Sequence, residues 1–251
     1  NDEVTECCPD TTLSVGTTWT PSTVLPGDGR FHIITLEQGV SLSIEDGLVL
    51  EFCEGGALVI ESGAYASLDG TLTSYGDMTW QGVFVEGDTS QGQHINLGNG
   101  GFHGLQQGLI HTREGSMIKN AKIGIRNYGL DGDASTGGMI RCEETSFINN
   151  TIGVDFGPYQ NYSTDGIPKS SLGTFRNCTF NTDTTYHLHE PFNAFVKMRK
   201  ADGMRFAGCS FTNEILPELP SEVSEFGFGI HSVSSGFMVY AGNSTAATPI
   251  C

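Results

Sequence analysis

The residue types able to do chemistry gather in the second half of the chain. Asp131-Gly132-Asp133-Ala134-Ser135 opens like a calcium loop, with carboxylates at alternate positions. The ligand set then breaks. Thr136 stands where the tight-turn glycine belongs, and Cys142 where the closing bidentate glutamate belongs. Asp131 and Asp133 are thus the calcium candidates, although acids in glycine-rich loops also serve simply as turn formers. His187 and His189 put two imidazoles on one strand face, without a third ligand in view. Glu143 and Glu144 are adjacent, so on a strand they face opposite sides. They cannot form the pair of carboxylates that glycoside hydrolysis needs. Lys197, Arg199, Lys200 and Arg205 are candidate bases for a lyase, with only Glu190 and Asp202 as nearby acids. Tyr159, Tyr162 and Tyr186 supply rings that stack on sugars or pack within loops. No catalytic constellation emerges from these residues.

Seven cysteines, Cys7, Cys8, Cys53, Cys142, Cys178, Cys209 and Cys251, show no Cys-x-x-Cys spacing. The odd number leaves at least one free or bonded to another chain. Adjacent Cys7 and Cys8 call for different partners, and Cys251 is placed to fix a terminus or reach a neighbour. The formal net charge is −17, from 12 Lys and Arg against 29 Asp and Glu. Nucleic acid is excluded as a partner, because phosphate binding needs a basic face. Residues 1–112 hold 15 acids and one base, Arg30, whereas residues 113–251 hold 14 acids and 11 bases. Ends of unequal charge attract each other head to tail. No apolar run approaches the roughly 20 residues of a membrane helix. The chain starts at Asn1 without a basic-then-apolar leader, which predicts that a leader has been removed. An acidic, lysine-poor chain so processed suits an oxidising compartment, in which some cysteines pair.

The elements that must position these residues are short strands. From Phe31 to Gly87, apolar stretches are cut by an acid followed by glycine: Glu37-Gln38-Gly39, Glu45-Asp46-Gly47, Glu54-Gly55-Gly56, Glu61-Ser62-Gly63 and Asp69-Gly70. Turn glycines recur about every eight residues, so three strand-plus-turn units make a circuit of about 24. Leu42/Ile44 and Leu58/Ile60 point inward, and Ser41, Ser43 and Val59 outward. Downstream, Ile118, Phe147, Phe180 and Phe211 are 29, 33 and 31 residues apart, and mark one inward position in four successive coils. Extra residues form loops at 127–138, 157–171 and 182–193. The same alignment sets Cys178 and Cys209 side by side on adjacent coils, either bonded or as stacked thiols. Residues 1–30 form an N-terminal cap, 31–213 a parallel β-helix, and 214–251 the last coil and C-terminal cap. Strand-like runs lie at Phe226–Ser232 and Gly236–Tyr240.

Gly70-Thr71-Leu72-Thr73-Ser74, followed by Trp80-Gln81-Gly82-Val83-Phe84-Val85-Glu86-Gly87, resembles a segment of secreted right-handed parallel β-helix proteins of the Bacteroidota. Those belong to the pectin-lyase-like group. Phe175-Asn177-Cys178-Phe180 and Glu143-Thr145-Phe147-Asn149-Asn150 fit the coils that follow in such proteins. Trp80, Gln81 and Gly82 carry the motif, and the resemblance covers roughly residues 35–215. It implies a secreted or surface-attached chain, cargo of the type IX secretion route, often within adhesin-like proteins. The Asp-Asp pair and Gly-His-Gly of the polygalacturonases in that group are missing, and no C-terminal sorting domain is recognisable.

The sequence therefore predicts an all-β chain, a single right-handed parallel β-helix with capping segments. Its expected role is a non-catalytic extracellular structural or adhesive protein that self-associates head to tail into surface filaments. No cofactor is expected beyond the calcium candidate. The competing expectation is a polysaccharide-active enzyme or a glycan-binding module, with a groove beside loops 127–138 and 157–193.

Overall fold

The computed structural model describes residues 8–94, 97–98, 101–102, 105–215 and 227–241. The chain is all-β, and its main sheets are parallel and nearly closed in a barrel-like arrangement. One eight-stranded sheet, the first ladder, runs Thr17–Trp19, Ser41–Ile44, Tyr65–Leu68, Leu109–Thr112, Met139–Glu143, Thr174–Arg176, Asp202–Ala207 and Gly236–Tyr240. A 13-stranded sheet has two arms. The second ladder contains Thr71–Ser74, Met117–Lys119, Ser146–Ile148, Thr179–Thr182 and Ser210–Asn213. The third contains Thr11–Leu13, Gly82–Val85, Ile123–Arg126, Ile152–Phe156, Ala194–Arg199 and Phe228–Val233. Arg30–Leu36 and Val49–Ile60 belong to both arms, crossing the corner between them.

The circuit length follows from the turns. Leu36 pairs with Ile60, and Ile44 with Leu68, each 24 residues on. Acid-x-Gly turns close these circuits with glycine at positive φ, +77° at Gly47 and +84° at Gly63, where a side chain is strained. Glu54-Gly55-Gly56 does not end a strand as the repeat suggested. It bends the 12-residue strand Val49–Ile60 at the corner, and the register against Arg30–Leu36 shifts there.

Side chains stack in columns along the interior. Ile118, Phe147, Phe180 and Phe211 are direct cross-strand partners, as their spacing predicts. Phe147 and Phe180 stack at 4.7 Å, Phe180 and Phe211 at 5.0 Å, and Phe175 and Phe206 at 4.9 Å between ring centroids. Leu42, Ile44, Leu58 and Ile60 are buried in the same core. Val59 faces outward, yet is covered with Ala57 and Phe84 in a small cluster of its own.

The segment read as an N-terminal cap takes part in the ladders. Thr11–Leu13 pairs with Arg30–Leu36, and Thr17–Trp19 with Ser41–Ile44. Trp19 is buried, stacked on Phe31 at 5.6 Å, and so covers the core end. The longest insert lies upstream of the expected loops. Twenty-three residues, 86–108, separate Gly82–Val85 from Leu109–Thr112, and include the antiparallel pair 97–98 and 101–102. No helix among the described residues is long and apolar enough to cross a membrane.

Candidate functional site

The Trp80-Gln81-Gly82 motif serves the core. Trp80 is fully buried, stacks on Phe52 at 4.5 Å and donates its indole N–H to the Lys119 carbonyl at 2.9 Å. The Gln81 carbonyl accepts from Arg126 Nη2 at 2.8 Å. Gly82, at φ +98°, lies against the Ile123 carbonyl of the next strand.

Outside the third ladder, register places Val59, Phe84, Arg126, Asp155, Lys197 and His231 in one row. The Arg126 guanidinium lies 3.9 Å over the Phe84 ring, and burial holds its pKa below the usual value. Asp155 is 5 % exposed and accepts from Tyr128 Oη at 2.6 Å. Burial, then the Asp155 charge, raises the Tyr128 phenol pKa, so the ring stays a neutral donor.

The inserts over this row are tied to one another. Gln93 is 3 % exposed. Its backbone N–H donates to Asn161 Oδ1 at 2.7 Å, and its Nε2 to the Gly137 carbonyl at 2.9 Å. Its Oε1 accepts from the Leu172 N–H at 2.7 Å and from Ser171 Oγ at 3.1 Å. Tyr159 Oη and Gln107 Nε2 both donate to the Gln91 carbonyl, at 2.6 and 2.8 Å. Thr136 Oγ1 donates to the Pro158 carbonyl at 2.7 Å. Three segments, 86–94, 127–138 and 157–172, thereby form one packed block, and beside the expected loop 182–193 a small depression is lined by Lys122, Thr151, Leu188, His189 and Glu190. Removing the Gln93 amide strands several buried backbone groups at once. Gln93→Leu should cost about 2–3 kcal/mol, read by chemical denaturation, with proteolytic nicking appearing first in these inserts.

The predicted calcium pair is divided between different partners. Asp131 Oδ1 accepts from Ser135 Oγ at 2.5 Å, while Asp133 Oδ1 lies 3.4 Å from Arg199 Nη2. Among the described residues, no group of three His, Cys, Asp or Glu side chains converges on a common point. Asp131 instead acts on Glu86. Burial first, then the charges of Asp131 and Glu61, raise the Glu86 pKa. A carboxyl with a raised folded pKa binds its proton more tightly folded than unfolded. Its contribution is most favourable below the ordinary value and is lost as pH rises through the raised one. Glu86→Gln should raise the melting temperature at pH 7 and make little difference near pH 4. A difference of equal size at both pH values would contradict this.

The other predicted residues scatter. His189 is exposed, and His187 lies beside the Thr185 carbonyl at 3.2 Å. Glu143 sits 3.9 Å from Arg176, whereas Glu144 occupies a left-handed turn at φ +51°. Lys197 and Arg199 are half-buried on the strand Ala194–Arg199, whereas Lys200, in the turn after it at φ +49°, and Arg205, on the strand Asp202–Ala207 of the first ladder, are exposed. Tyr159 is buried and its pKa is pushed up to about 12, chiefly by burial. Tyr186 is half-buried, and Tyr162 is exposed.

Cys8 is bonded to Cys53, a partner that spacing alone did not select. Cys142, Cys178 and Cys209 are free thiols, so the alignment of Cys178 with Cys209 corresponds to stacking here. Cys7 and Cys251 lie outside the described residues.

One open depression lies on the outer face of the first ladder. A groove of about 600 Å³ is lined by Thr18, Ser41, Ser43, Tyr65, Ser67 and Arg113, among others. Ser67 is 3 % exposed, and its hydroxyl has no hydrogen-bond partner among the described residues. A partial signal for it is legible in the outward serines of Ser41-Leu42-Ser43. Comparison with family models, curated proteins and solved structures found no match to this chain.

Proposed function

We propose that the three ladders are the faces of one right-handed parallel β-helix, and that it is a non-catalytic structural or adhesive scaffold outside the cell. The right-handed sense follows the strong preference of parallel crossover connections. The observation that carries the scaffold reading is the inward use of polar chemistry. Gln93, Gln107, Tyr128 and Tyr159 are engaged in hydrogen bonds within the inserts or to the third ladder, and the exposed Asp131 and Asp133 are engaged by Ser135 and Arg199. The Cys8–Cys53 bond is in keeping with an oxidising, secreted or surface location. The excess of acids in residues 1–112 over the more balanced remainder favours heterologous, head-to-tail contact, which does not close and so extends into a filament. Light scattering of concentrated protein should show growth at low salt that weakens as salt is added. A monomer under both conditions would remove the assembly part of the reading.

The groove on the first ladder favours a second reading, a glycan-binding module. Its hydroxyls and the half-buried Tyr65 ring offer hydrogen bonds and a stacking face. Binding to a panel of immobilised neutral and acidic polysaccharides, lost in Tyr65→Ala, would support it. Release of reducing or unsaturated sugar would instead make the chain an enzyme.

A further inference from the structure

Two of the three free thiols among the described residues stand in a relation that the fold itself creates. Thr179 pairs with Ser210, so the residues just before them, Cys178 and Cys209, occupy equivalent positions at one corner of neighbouring circuits. The same column holds Thr145 and Ser116 on the preceding circuits. Adjacent strands are about 4.8 Å apart, inside the range of about 4.4–6.8 Å between Cα atoms that a disulfide spans. Cys178 is buried, its Sγ directed at the Cys142 carbonyl at 3.5 Å. Cys209 is only partly buried, its Sγ 3.6 Å from the Phe175 carbonyl. It lies next to Ser210–Asn213, the end strand of the second ladder among the described residues, whose side chains are largely exposed. Movement of about 1 Å there brings the Cβ atoms to bonding separation.

We propose that Cys178 and Cys209 form an oxidisable dithiol, in which Cys209 is the attacking thiol and Cys178 the resolving one, and whose disulfide staples the last two described strands of the second ladder. The neighbouring Cys178 thiol lowers the Cys209 pKa, while the Cys209 thiol, then burial, raises that of Cys178. Exposure and charge thus assign the same roles. The oxidant is a small disulfide such as oxidised glutathione. The Cys209 thiolate attacks one of its sulfurs, the S–S bond breaks, and one glutathione thiolate leaves. Cys178 then gives up its proton, its sulfur attacks Cys209 Sγ in the mixed disulfide, and the second glutathione thiolate departs. The protein loses two electrons and the oxidant gains them. Cys142 takes no part: it is fully buried in the first ladder, with its pKa pushed up to about 12 by burial.

The test exposes the full chain, reduced and freed of reductant, to a series of oxidised-to-reduced glutathione ratios. Acid quenching, alkylation and non-reducing peptide mass mapping follow. The expected product is a peptide pair joined through Cys178 and Cys209, with Cys142 alkylated only after denaturation. Cys178→Ser should accumulate glutathione on Cys209. Cys209→Ser should take up glutathione at Cys178 at least about tenfold more slowly. Cys142→Ser should leave the bridge unchanged. Circular dichroism of each variant confirms that it is folded, and Cys209→Ala stands in for a serine variant that is not. The proposal is overturned if both thiols remain separately alkylated at the most oxidising ratio. It is equally overturned if glutathione settles on Cys178 while Cys209 stays free.

Discussion

Gly82→Ala should abolish the fold or lower its stability by more than about 4 kcal/mol, among the largest effects single substitutions produce. The residue opens the strand Gly82–Val85 at φ +98°, and a Cβ there would overlap the Ile123 carbonyl oxygen. That oxygen belongs to the backbone of the neighbouring strand, so no side-chain rotation makes room. Relief would require parting Gly82–Val85 from Ile123–Arg126, whose register runs through Val83 and Phe84. It would also disturb Trp80, which caps the same corner from inside. A contrast separates the clash from the backbone conformation. Gly39 has φ +80° but nothing within 4 Å of its would-be Cβ. Gly39→Ala should cost only the left-handed conformation, about 1–2 kcal/mol. Equal losses in the two variants, by chemical denaturation, would contradict the close approach at Gly82.

Phe180→Ala should cost about 3–5 kcal/mol, the range for removing a buried aromatic ring. Phe180 is fully buried and stacks between Phe147 and Phe211, with Phe175 and Phe195 tilted at its edges. Close packing of backbones one strand spacing apart keeps the neighbours from collapsing into the space. Phe211, at the end of the same column, is only partly buried. Phe211→Ala should therefore cost markedly less than Phe180→Ala. Because the column is built one circuit at a time, its stability should behave as a sum of neighbour terms, and the terminal ring matters least.

Much of this was legible because a parallel ladder repeats in sequence. Leu36 above Ile60 and Ile44 above Leu68 follow from turn glycines about eight residues apart. The Ile118–Phe147–Phe180–Phe211 column was readable even though the circuits had lengthened, since every coil must present a large apolar residue at that position. The strand Gly236–Tyr240 also lies where its apolar run placed it. The inserts were not legible in the same way. Gln93 reaches Gly137, 44 residues on, and Asn161, 68 residues on, through hydrogen bonds that leave no local pattern. A glutamine among glycines reads as loop surface, and the insert 86–108 was not among the expected loops. The same limit hid the pairing of Cys8 with Cys53. Nor does the sequence separate Tyr159, buried with its hydroxyl on the Gln91 carbonyl, from Tyr162, which is exposed in the same loop.

The first ladder's eight rungs make a unit of roughly 34 Å at one strand spacing per rung. Electron microscopy of the purified native protein tests most directly whether such units join. The account predicts unbranched filaments one coil wide at low salt, shortening as salt screens the contrast between an acidic end and a balanced one. Isolated particles at every salt concentration would contradict head-to-tail assembly.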